Sequence, residues 1–262
     1  AHEQNFDLKK NRIEVWCDSV GHRPTDMVSP YVIAPRERID VVHKLKSAGL
    51  DPFDYVLVQY HSAERYKDYP HIDDLVAILR DRGHKVVLAC NRPIPDHALA
   101  GKPVWTTAGL DFSECMIVAE MAQMVICPDS AFLHASAAVG TPAIGLFSGT
   151  DGALTCKYYP LAHPVQHTFV DGKPCEHSFP CWGVQRRNFW CGDRNAADAH
   201  KPWCLEQISP SVIVQLTEQF IHDRYKQHLS DRYDRVMAHI EKAEMVQIDK
   251  SRFARLGKKK VI

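Results

Sequence analysis

The stretch that decides the fold is MVICPDSAFLHASAAVGTPAIGLFSGTD, Met124 to Asp151. It opens on a compact apolar run (MVIC) of the kind a buried strand needs, and breaks at Pro128-Asp129-Ser130. A run of small residues, Ala131 to Val139, then reads as a helix, and Gly140 ends it. A second apolar run, Ala143 to Phe147, leads into the small polar loop Ser148 to Asp151. Strand, turn, helix, turn and strand in so few residues describe a parallel unit with its helix packed on the sheet.

Working outward, the same alternation holds upstream. Tyr55 to Gln59 and Lys85 to Cys90 are buried strands, and Val104 to Thr107 a shorter one. His71 to Arg82 carries Ile72, Leu75, Val76 and Leu79 at helical spacing, and Gly83 stops it. Ser113 is placed to cap a helix running to Ala122. The expected fold is α/β: a Rossmann-like parallel sheet with helices on both faces, over residues 51–170. Residues 1–50 read as a connecting segment or the remnant of a further, N-terminal domain, with a short helix or strand in NRIEVWCDSV (Asn11 to Val20) and a helix from Arg36 to Ala48. After Pro160 the pattern dissolves into a Cys-rich insert (171–206), followed by C-terminal helices and a basic tail (207–262). Ser209-Pro210 starts the first of these helices and Ser230 is placed to cap the last.

Composition narrows the function classes. The 262 residues are 45% hydrophobic, enough for a sizeable core, and 32 basic residues balance 32 acidic ones. A net charge of zero gives no electrostatic reason to expect nucleic acid. No stretch approaches the roughly 20 apolar residues of a membrane span. The opening AHEQNFDLKKNR has no signal-peptide core, so a cytoplasmic location is expected.

In parallel sheets ligands sit at the carboxyl ends of the strands. The start of the helix at Ser130 offers unpaired N–H groups and a partial positive charge, which suit a diphosphate. Ser130 and Ala131 are small enough to let a ligand reach their amides, and His134 lies one turn on. Asp129 would repel phosphate, so it makes sense as an acceptor for sugar hydroxyls. Ser148 and Thr150 are placed on the opposite wall. The competing reading is structural: Asp129 or Ser130 merely caps the helix and His134 is a core residue. A nucleotide-sugar epimerase or dehydrogenase is disfavoured, because no G-x-G-x-x-G follows any strand.

PDSAFLHASAAVGTPAIGLF resembles the D-[ST]-G-x-x-H-x-A-x-A-x-G-x-P-x-x-x-L-F block of the ADP-heptose:lipopolysaccharide heptosyltransferases, glycosyltransferase family nine. Lys67-Asp68-Tyr69-Pro70 resembles the family's K-x-W-P, and Cys204-Leu205 with Ile208-Ser209-Pro210 and Val212 resembles its C-[LM]-x-x-I-x-P-x-x-V. The resemblance spans roughly Phe53 to Phe220.

It implies the C-terminal, donor-binding half of a GT-B fold. Lys67 would neutralise the diphosphate leaving group, and the Ser130 and Ala131 amides with His134 would hold the phosphates. Asp129 would bind the sugar, so that Lys67 and Asp129 are the expected catalytic pair. The implied reaction is a metal-independent, inverting transfer from a nucleotide-diphosphate sugar, an ADP-sugar, to a glycan or protein acceptor. Two departures stand out: the family's Gly is Ala131 here, and Asn91 to Pro95 replaces its glycine-rich ribose loop. Fifty residues before the first strand are too few for the family's N-terminal acceptor domain. A missing domain or a partner chain is therefore expected to supply the catalytic base, and this stretch alone is expected not to transfer sugar. The alternative is a non-catalytic nucleotide-sugar-binding or structural module that keeps the fold.

Four of the nine cysteines, Cys175, Cys181, Cys191 and Cys204, crowd into thirty residues. Four thiolates suit a structural zinc or iron, although the spacing lacks C-x-x-C pairs. Unpaired thiols and disulfides are the alternatives, the latter disfavoured in a reducing compartment. Resemblance adds that some related protein heptosyltransferases bind iron there.

Overall fold

A computed structural model describes residues 10–23, 25–28, 30–90, 94, 105–167, 169–170, 173–174 and 202–257. Helix α1 (Arg12–Val20) starts at a capping box: the Asn11 side chain accepts from the Ile13 amide, and Glu14 reaches back to the Asn11 amide. Helix α2 (Pro35–Ser47) follows. The α/β alternation then runs β1 (Val56–Gln59), α3 (Ile72–Asp81), β2 (Val86–Ala89), β3 (Trp105–Thr106), α4 (Phe112–Glu120), β4 (Met124–Pro128), α5 (Ala131–Val139) and β5 (Ala143–Phe147). The short α6 (Gly152–Thr155) leads to β6 (Ala162–Gln166). Beyond a two-stranded antiparallel ribbon, Phe169–Val170 with Lys173–Pro174, come α7 (Trp203–Glu206), α8 (Pro210–Gln219), a π-turn (Phe220–Arg224) and the long α9 (Lys226–Gly257).

The six strands form one parallel sheet in the order β3-β2-β1-β4-β5-β6. Strand residues alternate between two cores, as a pleat requires. Leu57, Val87, Val125 and Phe147 face one core, shared with α2, α4, α5 and α9. Val58, Leu88, Ile126 and Leu146 face the other, with α3 and α8. The expected α/β class with helices on both faces is what the chain adopts.

Three local expectations are corrected. Helix α4 is capped by Asp111, not Ser113: the Asp111 carboxylate accepts from the Glu114 amide, and Glu114 returns the bond as a capping box. Ser230 lies inside α9, which runs through it unbroken. The chain after Pro160 does not lose its pattern at once, because Ala162–Gln166 is a sixth parallel strand. Pro164 hides it from a sequence reading, and proline is tolerated there because β6 is an edge strand. Helix α2, within the expected connecting segment, places Ile39, Val41, Val42 and Leu45 in the first core.

A buried ion pair joins α2 to α4. Arg38 Nε donates to Glu120 Oε2 and Nη2 to Oε1, both at 2.7 Å, while Nη1 bonds the Ile33 carbonyl at 3.1 Å. Arg232 on α9 lies against the same end of α4, donating to the Ala122 carbonyl at 2.9 Å and to the Glu120 carbonyl.

Gly152 sits where the β5–α6 loop presses on the sheet. A Cβ there would lie 2.7 Å from Phe147 Cδ2 and 2.9 Å from Pro164 Cβ, and Phe147 is fully buried. Gly152→Ala should therefore cost about 1–3 kcal/mol through overpacking. Urea unfolding checks this: an unchanged midpoint would show that the loop gives way freely.

Candidate functional site

The loops after β1, β4 and β5 come together because those three strands are neighbours in the sheet. Ser130, the residue before α5, is extended (φ −151°, ψ 179°), and its hydroxyl makes no cap to the helix. It donates instead to Gln59 Oε1 at the end of β1. Helix α5 thus begins without a side-chain cap, and the reading in which Ser130 merely caps it is set aside.

Asp129 is the hub. Lys67, at the end of a short 3₁₀ turn (Arg65–Lys67), donates to the Asp129 carbonyl at 3.0 Å and stands 3.4 Å from Oδ2. From the β5 loop, the Thr150 hydroxyl donates to the same Oδ2 at 2.9 Å. Lys67 also pairs with Glu64 at 3.1 Å, so two carboxylates balance its charge. The Lys67 and Asp129 side chains are only 15% and 14% exposed, where such pairs are weakly screened.

His134 Nδ1 lies 2.7 Å from the Tyr159 hydroxyl. His134 is an exposed residue, and the partial desolvation of its ring holds the imidazole below the ordinary range, opposed by the Asp129 carboxylate, with Arg12 and Lys67 adding to the depression. Burial lowers His84 and His163 likewise. As pH falls through about 6.5, the unfolded chain takes up protons that these folded imidazoles still refuse, so stability is lost on the acid side. Urea unfolding should give a lower free energy at about pH 5.5 than at about pH 7.5, and His134→Gln should shrink the difference. A difference untouched by that variant would remove His134 from the account.

Asp129, Ala131, His134 and Thr150 line a cavity of about 960 Å³, which continues along α5 under α1 and the 26–31 segment. Of the other expected residues, Lys67 and Ser130 flank this group through their bonds to Asp129 and Gln59. Ser148 is buried, and its carbonyl accepts from Gln166 Nε2 at 3.0 Å, so it supports the loop from behind. Gln166 also donates to the Thr150 carbonyl at 2.6 Å and accepts from the Gly152 amide at 3.0 Å, setting the loop that carries Thr150. The sequence reading missed Gln166 with its strand. It also missed Tyr159, whose only signal is a place in a short polar stretch.

Cys175, Cys181 and Cys191 lie outside the described residues, as do Asn91 to Pro93 and Pro95. Cys204 is buried in α7. Among the described residues no three His, Cys, Asp or Glu side chains gather as metal ligands. No described helix is long and apolar enough to cross a membrane.

The sequence model of glycosyltransferase family 9 (heptosyltransferase) matches residues 32–180, more than half of the chain. The chain belongs to that family. Solved structures agree with this family 9 assignment at the level of fold. The Escherichia coli ADP-heptose lps heptosyltransferase II is 14% identical with a TM-score of 0.53, over 76% of this chain and 55% of that one. A family 9 glycosyl transferase from Veillonella parvula DSM 2008 is 13% identical with a TM-score of 0.59, over 81% and 60%. The chain thus spans little more than half the length of these family 9 structures. No curated protein matches it.

Proposed function

We propose that this chain binds the donor of a heptosyltransferase-like glycosyltransferase, a nucleotide-diphosphate sugar of the ADP type, for inverting transfer to a glycan or protein acceptor. The observation that carries the reading is the Lys67–Asp129–Thr150 cluster set against the uncapped start of α5. A cation and open backbone amides favour a diphosphate on one side. A carboxylate beside them accepts hydrogen bonds from sugar hydroxyls. The name of the Escherichia coli structure includes ADP-heptose, which makes it the first donor to test.

In this reading Lys67 exchanges its carboxylate partners for the diphosphate and stabilises the charge that develops on the leaving group. If the Tyr159 hydroxyl donates to Nδ1, neutral His134 carries its proton on Nε2. Burial raises the Tyr159 pKa, so the phenol keeps the proton it donates. Transfer by a whole protein belongs to the proposal too, since the similar structures are far longer than this chain.

Calorimetry and thermal unfolding with ADP, UDP and ADP-heptose test the reading. ADP and ADP-heptose should raise the unfolding temperature in proportion to their occupancy of the native state. Absence of binding by all three would overturn it.

A further inference from the structure

The cavity does not end at the donor cluster. Beyond Asp129, His134 and Thr150 its walls become apolar, with Trp16, Met27, Val28, Tyr31, Phe112 and Met116 among them. Trp16 and Phe112 remain 61% and 66% exposed, and Tyr31 meets Phe112 edge to face at 5.9 Å. Large rings kept in solvent around a concave wall mark a binding surface more often than a packing accident.

The chamber is built, not incidental. Asn11 Nδ2 donates to the Leu154 carbonyl at 2.7 Å, and Glu14 Oε1 accepts from Lys157 Nζ at 2.6 Å and the Tyr158 hydroxyl at 2.7 Å. These bonds clamp α1 onto the segment that follows Thr150. On the other side the Tyr31 amide donates to the Ala138 carbonyl at 3.2 Å, tying the 26–31 segment to α5. Besides Asp129, the charged side chains of the wall are Lys10, Arg12, Asp26 and Asp151: Lys10 pairs with Asp18, Asp26 accepts from the Val28 amide and Asp151 from the Leu154 amide, each at 2.9 Å. They shape the wall and leave its surface predominantly apolar.

We propose that this chamber is an acceptor subsite for a molecule that carries an apolar group next to the hydroxyl to be glycosylated. The proposal rests on the donor reading above. An acceptor hydroxyl must arrive beside the sugar that Asp129 holds, and whatever follows that hydroxyl then lies along α5 against the apolar wall. The volume, about 960 Å³, admits a group of drug-like size.

The test uses the full 262-residue chain and two probes, octyl β-glucoside below its micelle concentration and methyl β-glucoside, titrated with and without ADP. Octyl β-glucoside should bind at least tenfold more tightly than methyl β-glucoside, and should bind alongside ADP. Ala138→Trp, which fills the chamber, and Met27→Glu, which charges its wall, should each weaken octyl β-glucoside tenfold or more and leave ADP binding unchanged. Retained ADP binding shows that each variant folds. Equal affinity for the two glucosides, indifference to both variants, or competition with ADP would each overturn the chamber as an acceptor subsite, while leaving donor binding intact. Failure of ADP to bind the wild-type chain would overturn the donor reading, and the acceptor role with it.

Discussion

Glu120→Ala should lower the free energy of unfolding by about 3–5 kcal/mol. The pair it breaks is 10% exposed on the Arg38 side and 9% on the Glu120 side, and both hydrogen bonds of the fork measure 2.7 Å. Without the carboxylate, the Arg38 guanidinium is left in the interface between α2 and α4 with, among the described residues, only the Ile33 carbonyl to receive it. Arg232 worsens the imbalance, because Glu120 is also the charge that most favours its buried, protonated form. The double variant Arg38→Met, Glu120→Leu should be markedly more stable than Glu120→Ala, since the cost lies in an unpaired charge and not in the absence of an attraction. Guanidinium unfolding of the two variants and the wild type decides. If the double variant is as unstable as the single one, packing and not charge governs this contact.

The second large effect is on ligand binding. Lys67→Ala should weaken ADP and ADP-heptose together, by about 10- to 100-fold, the worth of a hydrogen bond to a charged group. Asp129→Ala should behave differently. Removing the carboxylate takes nothing from the phosphates and frees Lys67 from one of its partners, so ADP affinity should hold or rise, while ADP-heptose loses its sugar contact. Titration calorimetry with both ligands on both variants gives four numbers. A parallel loss of both ligands in Asp129→Ala would show that Asp129 acts by holding Lys67 in place.

Much of this was legible in the chain, for physical reasons that differ by element. MVIC and AIGLF are buried on both faces, so their lack of polar residues announced them. The bounds Ala131–Val139 and Ala143–Phe147 fall where the sequence put them. Gly140 ends α5 in the left-handed region (φ 73°), as its glycine foretold. The grouping of Asp129, Ser130 and His134 was legible because all three are local to one strand–turn–helix. What lay hidden depends on distance along the chain. Gln166 shapes the Thr150 loop from a strand that Pro164 disguises, and Tyr159 reaches His134 from 25 residues away. The apolar wall was least visible of all, because α1 and the 26–31 segment form it only once Asn11 and Glu14 have docked. The Ser113 and Ser230 misreadings share one cause: a capping residue type is a signal only where the helix begins, and Asp111 offered a better cap.

The first core brings an early helix, α2, against the last one, α9. Val236 and Ile240 of α9 pack with Ile39, Val42 and Leu45 of α2, and Arg232 closes over the end of α4. A chain made from its N-terminus has its strands and α2, α4 and α5 available well before α9 leaves the ribosome, yet the part of α2 that meets α9 stays uncovered until α9 arrives. For that interval Val42, Leu45 and their neighbours are exposed to other nascent chains, the condition under which half-made proteins aggregate. Synthesis, more than unfolding, is therefore the vulnerable period for this molecule.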